Sequence, residues 1–182
     1  MGALLAASRA VDAFSRFVGR WVYWLILLAV LVSAGNATTR KLFDLSSNAW
    51  LELQWYLFGA VFMLAAAWTL ERNEHIRIDI VSGNLPKRAR DWIDVFGHVF
   101  MLLPFAAILS YLCWFFFWNA YRSGEISGSA GGLALWPARL VMFVGFVMLL
   151  VQGLSELVKR VAVIMGRIPD PHEAAQQQHV IE

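Results

Sequence analysis

The sequence predicts an all-α integral membrane protein with four transmembrane helices, an N-terminal amphipathic interfacial helix ahead of them, and both termini in the cytoplasm. Three observations carry this expectation. Of 182 residues, 59% are hydrophobic and only 15% are charged, with a mean hydropathy of +0.59; a soluble domain carries about a quarter charged residues. Four stretches lack Asp, Glu, Lys and Arg altogether, at 21–39, 53–70, 95–121 and 140–155, and a helix needs about 20 mostly apolar residues to cross a hydrocarbon core of roughly 30 Å. No alternating strand pattern runs through them, so helices rather than a barrel must satisfy the backbone in lipid.

The third observation is the placing of lysine and arginine. Arg9, Arg16, Arg20, Arg72, Arg77, Lys87, Arg88, Arg90, Lys159, Arg160 and Arg167 flank one side of the spans, against Arg40, Lys41, Arg122 and Arg139 on the other. The side richer in positive charge is the cytoplasmic one. Tryptophans follow the same boundaries: Trp21, Trp68 and Trp92 fall at the cytoplasmic interface, Trp50, Trp114, Trp118 and Trp136 near the outer one, and Trp24 and Trp55 about a turn deeper. Lipid anchoring is the simplest account of them.

Along the chain, residues 1–19 form the amphipathic helix. At roughly 100° per residue, Arg9, Asp12, Arg16 and Arg20 share one face, with Leu4, Ala7, Val11, Phe14 and Val18 opposite. The charges interrupt any apolar run of the kind a signal peptide needs. The membrane domain covers 20–160, with spans at about 20–38, 50–70, 92–119 and 137–158. Pro137 suits the first turn of the fourth span. The third is the longest, running from near Asn84 and Pro86 to near Asn119. Its ~51 Å exceeds the hydrocarbon thickness, so it must tilt or protrude, and Pro104 deletes one backbone bond midway and permits a kink. Residues 161–182, with Pro169, Pro171 and Gln176 to Gln178, read as a polar, disordered cytoplasmic tail.

Several function classes fall away. A net charge of +2 gives no footprint for nucleic acid. The single Cys113 can make no internal disulfide and no thiol pair for electron transfer. His98 alone cannot build a two-histidine haem site, and His172 and His179 lack metal-site spacing. Gly124, Gly128, Gly131 and Gly132 sit in an outward loop without the lysine of a phosphate loop. No cofactor, metal or catalytic group is expected, and the protein reads as a non-enzyme.

Ionisable groups inside spans are functional suspects, yet they gather at the ends. Glu52 lies in the first turn of the second span, where the helix dipole favours a carboxylate. Asp94 and His98 are i and i+4 on the third span, and Gln152 and Glu156 are i and i+4 on the fourth. These five read as interhelical polar contacts near the membrane boundaries rather than a proton path, which would need groups across the whole bilayer. Gly59 and Ala66, seven apart on the second span, and the stripe Gly145, Gln152, Glu156 on the fourth are candidates for close helix packing. Phe115, Phe116 and Phe117 point in several directions, so some must meet lipid or another subunit.

The most distinctive polar segment is Glu71-Arg72-Asn73-Glu74-His75-Ile76-Arg77-Ile78-Asp79-Ile80, directly after the second span. It resembles the signature of the small permease subunit of tripartite ATP-independent periplasmic (TRAP) transporters, the DctQ-like or Q subunit, with His75, Arg77 and Asp79 matching. The likeness covers roughly residues 16–160, including the short outward loop, Pro137 and the leucine-rich end with Gln152. The stretch from Asn48 to Phe58, with Trp50, Glu52, Gln54 and Trp55, looks like the subgroup labelled for mannitol or chloroaromatic compounds. A membrane-hugging connector, whose isoleucines dip into the interface while Arg77 and Asp79 stay wet, would give the same alternation and is compatible with docking.

The resemblance implies a bacterial inner-membrane uptake system in three parts. A periplasmic substrate-binding protein delivers a small organic acid, a large permease subunit moves it with a sodium gradient, and this chain acts as scaffold. Glu71, Arg72, His75, Arg77 and Asp79 become candidates for docking the large subunit. Arg40, Lys41, Asp44, Arg122 and Glu125 are the outward-facing candidates for contact with the binding protein. Sodium coupling would belong to the large subunit. The alternatives are a self-sufficient homo-oligomeric carrier or channel, which would need a polar pore lining that these spans lack, and a membrane enzyme or haem carrier.

Overall fold

The computed structural model describes residues 2–44, 47–73 and 86–169. It contains four helices: α1 (Gly2–Phe43), α2 (Asn48–Glu71), α3 (Lys87–Ser123) and α4 (Trp136–Ile164). Each is long and apolar enough to cross a membrane. The chain is therefore an all-helical, multi-pass membrane protein.

α1 is a single helix of 42 residues, about 63 Å at 1.5 Å per residue. The amphipathic segment 1–19 is its first half rather than a separate element. Its Asp12 does not face water as the amphipathic pattern suggests: Ser8, Asp12, Ser15 and Gly19 are buried, while Leu4, Phe14 and Phe17 are exposed. Polar side chains on α4 make this orientation possible, as the next subsection describes. At the other end of the chain, α4 continues past residue 160, because Ala162 is fully buried against its neighbours. Residues 170–182 lie outside the described residues.

The helices alternate in direction, and α4 is the hub. It packs against α1, α2 and α3, α1 lies along α2, and α3 joins the others chiefly through α4. Lipid tails are as apolar as leucine, so association in a bilayer relies on close packing at small residues and on polar contacts. Most of the buried apolar positions fit that rule, Ala29, Ala60, Ala67, Ala106, Ala120 and Ala162, with Val22, Val32, Cys113 and Met148 the larger side chains among them. At Gly145 α4 closes on the backbone of α2: an added Cβ would lie 2.7 Å from Met63 Cβ and 2.9 Å from its carbonyl oxygen. At Gly19 a Cβ would fall 2.4 Å from the Trp68 ring. Trp68 therefore packs between α1 and α2 instead of anchoring in lipid. On α2 the small-residue seam is Ala60 and Ala67 rather than Gly59 and Ala66, one position round the helix; Gly59 faces open space. The outer flanks carry the large side chains, with Trp55 and Phe62 about three-quarters exposed.

α3 runs as an α-helix over Lys87–Gly97, widens into a π-helical turn at His98–Leu102, and resumes at Leu103. The Leu103 N–H bonds to the His98 carbonyl, five residues back. Pro104, which has no N–H to give, sits just after this turn, where the widened ladder accommodates it without ending the helix. Gly124, at φ +63°, closes α3 in the left-handed conformation that L side chains resist.

Candidate functional site

The polar residues of the spanning helices collect in two layers, one at each end of the helices. The inner layer lies where the N-terminal half of α1 meets the C-terminal half of α4. Gln152 is fully buried and sits at its centre. Its amide nitrogen donates to Asp12 Oδ1 (2.8 Å) and Glu156 Oε1 (2.9 Å), and its Oε1 accepts from Ser15 Oγ at 2.8 Å. The Asp12 carboxylate also accepts from Ser155 Oγ (3.2 Å) and from Lys159 Nζ at 3.1 Å to each oxygen. Lys159 reaches Glu156 Oε1 at 2.5 Å as well, and Ser8 and Ser155 hydroxyls lie 2.6 Å apart. Two carboxylates thus share one ammonium and one carboxamide, the Ser155 hydroxyl adds a bond to Asp12, and the Ser15 and Ser8 hydroxyls bond in turn to Gln152 and Ser155. A buried charge cluster is tolerable only when satisfied in this way.

Two ion-pair groups extend the layer sideways. Arg16 on α1 meets Glu71 Oε1 on α2 at 2.7 Å, and the Arg72 guanidinium lies 5.1 Å from the centre of the Trp68 ring. Arg160 on α4 bridges to α3 through Asp91 (3.2 Å) and Asp94 (3.0 Å). His98, in the π-helical turn, donates from Nδ1 to the Asp94 carbonyl at 2.7 Å; its Nε2 is buried without a hydrogen-bond partner. Of the ten-residue signature, Glu71, Arg72 and Asn73 are in place at the end of α2, with Asn73 at φ +56°. His75, Arg77 and Asp79 lie outside the described residues.

The outer layer is organised by Glu52. Rather than joining helix to helix, its carboxylate accepts from the Leu133 backbone N–H at 2.7 Å and from the Ser127 hydroxyl. Asn48 Nδ2 donates to the Ala130 carbonyl and the Tyr56 hydroxyl to the Ala134 carbonyl, both at 3.1 Å. The loop 124–135 is thereby tied to α2, with Ile126 and Ala134 bridged antiparallel. Arg139 grips Glu125 with both terminal nitrogens (2.6 and 2.9 Å) and lies 3.9 Å from the Phe116 ring centre. The outward candidates Arg40, Lys41, Asp44, Arg122 and Glu125 are all exposed, and Glu125 is also paired with Arg139. Trp114, Trp118, Tyr121 and Trp136 form a run of ring contacts beside this layer.

Between the charged ends the helices carry no ionisable side chain other than the thiol of Cys113 and the phenols of Tyr23, Tyr56, Tyr111 and Tyr121: no Asp, Glu, Lys, Arg or His lies from 21 to 39, 53 to 70, 99 to 121 or 140 to 155. Among the described residues, no group of three His, Cys, Asp or Glu side chains could hold a metal ion. The arrangement is chemically one that fixes helices, not one that offers an open ligand.

A family model described as "Tripartite ATP-independent periplasmic transporters, DctQ component" matches residues 28–163, or 136 of the 182. The chain belongs to the DctQ family. As a DctQ protein it is a small TRAP transporter subunit and a transporter component by family. The match takes in the signature after α2, the outer layer and the α4 half of the inner layer. The α1 half of that layer, Ser8, Asp12 and Ser15, precedes the matched residues of this DctQ chain. No curated protein and no solved structure matches the chain significantly.

Asp12, Ser8 and Ser15 were not legible as site residues, because their partners stand some 140 positions away in α4. A signal was nonetheless present: Ser8, Asp12, Ser15 and Gly19 recur at intervals of four, three and four, a small and polar stripe of the kind that faces another membrane helix.

Proposed function

We propose that this chain is the stationary membrane subunit of a sodium-coupled TRAP system that takes up a small organic acid across the bacterial inner membrane, with both of its termini in the cytoplasm. The observation that carries the reading is the division of polar groups. Each cluster at the helix ends is cross-paired within the subunit, and the stretch between them offers no acid, base or cation for an ion or substrate. Ion and substrate sites then belong to the large permease subunit, whose mobile part works against a frame that this chain enlarges. The long apolar flanks on α1, α2 and α3 supply surface for that partner and for lipid. The outward positions Arg40, Lys41, Asp44 and Arg122 are proposed contacts for the periplasmic binding protein, and the Glu71–Asp79 segment for the large subunit.

Reconstitution tests this. With the large subunit and binding protein in vesicles under an inwardly directed sodium gradient, uptake of the system's organic acid should require this chain, and the chain should co-purify one-to-one with the large subunit. Full-rate uptake by the large subunit alone would overturn the scaffold role.

A further inference from the structure

A cavity of about 470 Å³ opens between the first turns of α3 and the last turns of α4. Its α3 wall carries Lys87, Arg88 and Trp92, and its other wall the aliphatic side chains of Val163, Ile164 and Ile168. We propose that this cleft binds the headgroup of an anionic phospholipid.

The charge on the walls selects the headgroup. Asp91, which also borders the cleft, is only 6% exposed and is paired with Arg160 at 3.2 Å, so its charge is compensated toward α4. Arg88 is exposed and makes no ion pair among the described residues. A guanidinium matches the paired oxygens of a phosphate diester, and the neighbouring Lys87 adds a second positive charge. A zwitterionic headgroup would bring its own cation against these two. Basic pockets between helices at the membrane surface hold anionic headgroups for this reason.

The helix face below the cleft selects a lipid over a free anion. Arg88, Trp92, Phe96 and Phe100 follow one another at intervals of four on α3, and the three aromatic residues are 62%, 59% and 65% exposed. At 1.5 Å per residue they lie about 6, 12 and 18 Å beyond Arg88 along the helix. Cation, indole and then a tilted pair of phenyl rings, with Phe96 and Phe100 centres 4.7 Å apart, repeat the order of phosphate, interface and acyl chain in a phospholipid. The aliphatic wall of α4 would give an inorganic phosphate nothing. Binding does not depend on the transport role proposed above; only the assignment to the inner leaflet rests on the orientation proposed there.

The full chain, purified in neutral detergent, can be titrated with phosphatidylglycerol or phosphatidylcholine and read by native mass spectrometry. Phosphatidylglycerol should be retained about tenfold or more over phosphatidylcholine, and the double variant Lys87→Gln/Arg88→Gln should bring it down to the phosphatidylcholine level. Trp92→Ala should also lower retention, and Arg122→Gln at the opposite end should leave it unchanged. Equal retention of the two lipids, or unchanged retention in a Lys87→Gln/Arg88→Gln protein with wild-type circular dichroism, would overturn the proposal. So would displacement of the lipid by millimolar inorganic phosphate, which would assign the cleft to a free anion. Loss of one-to-one association with the large subunit would count against the scaffold reading and leave lipid retention by the isolated chain as it was.

Discussion

Substituting Lys159 with methionine removes one positive charge from between two carboxylates and keeps a side chain of similar length in its place. Lys159 Nζ holds Asp12 at 3.1 Å and Glu156 at 2.5 Å, and the three side chains are 14%, 10% and 6% exposed. Neither carboxylate has water enough to replace the ammonium. Gln152 already gives its amide hydrogens to both of them, and Ser155 its hydroxyl to Asp12. Breaking a buried pair on one side costs about 3–5 kcal/mol, because the uncompensated charge remains. For a chain of this size that corresponds to a drop of at least about 6 °C in the unfolding midpoint. The assay is thermal unfolding of the purified chain in detergent, run as a cycle. Asp12→Asn together with Glu156→Gln in the Lys159→Met background removes the stranded charges and should recover most of the loss, because replacing a whole buried ion cluster by neutral groups is close to neutral. A Lys159→Met protein as stable as the parent, or one that the two neutralising substitutions destabilise further, would refute the claim that this cluster joins α1 to α4.

The same substitution at two glycines should part company: Gly145→Leu forces α4 away from Met63 and costs about 1–3 kcal/mol of stability, whereas Gly59→Leu meets open space and leaves the midpoint of the isolated chain unchanged. Replacing Glu52 with alanine removes the acceptor for Leu133 N–H and Ser127, and limited proteolysis should then cut the 124–135 loop several-fold faster while the helices stay intact. Arg160→Met leaves Asp91 and Asp94 facing α4 without the guanidinium that bridges them; hydrogen exchange should rise over residues 87–97 and not over α2.

The number of spans was legible because a bilayer imposes a minimum apolar length, and no tertiary contact is needed to read it. Where α1 begins was not, because Arg9, Asp12 and Arg16 have the periodicity of a surface helix. That pattern cannot distinguish a polar face turned to water from one turned to Gln152, Ser155 and Lys159. Glu52 shows the same gap. Its place in the first turn of α2 explains why a carboxylate is tolerated there, but its partners belong to a loop some 80 residues later. The small-residue seam failed by a single position, Ala60 and Ala67 in place of Gly59 and Ala66, since glycine and alanine at a spacing of seven mark two adjacent faces equally well. On α4, by contrast, Gly145, Gln152 and Glu156 share one buried stripe, because all three face helices that flank the hub.

The π-helical turn in α3 inserts one residue's worth of rotation, about 100°, into an otherwise regular helix. Above it, Ala106, Ser110 and Cys113 face inward. Carried downward without interruption, that seam would reach Leu102, Val99, Val95 and Trp92. With the turn, it passes instead to His98, Asp94 and Asp91, and Trp92 is left 62% exposed. The wider turn thus works as a change of phase, letting a single rod present an apolar seam along the bilayer and an acidic one at its foot. Were the same residues to run as a regular α-helix, Trp92 would take the place of Asp91 and the Arg160 ion pairs would be lost, whereas deleting one residue between 98 and 102 would remove the wide turn and leave the acidic face toward Arg160. The wide turn is how α3 absorbs one extra residue and still meets α4 with its acidic foot.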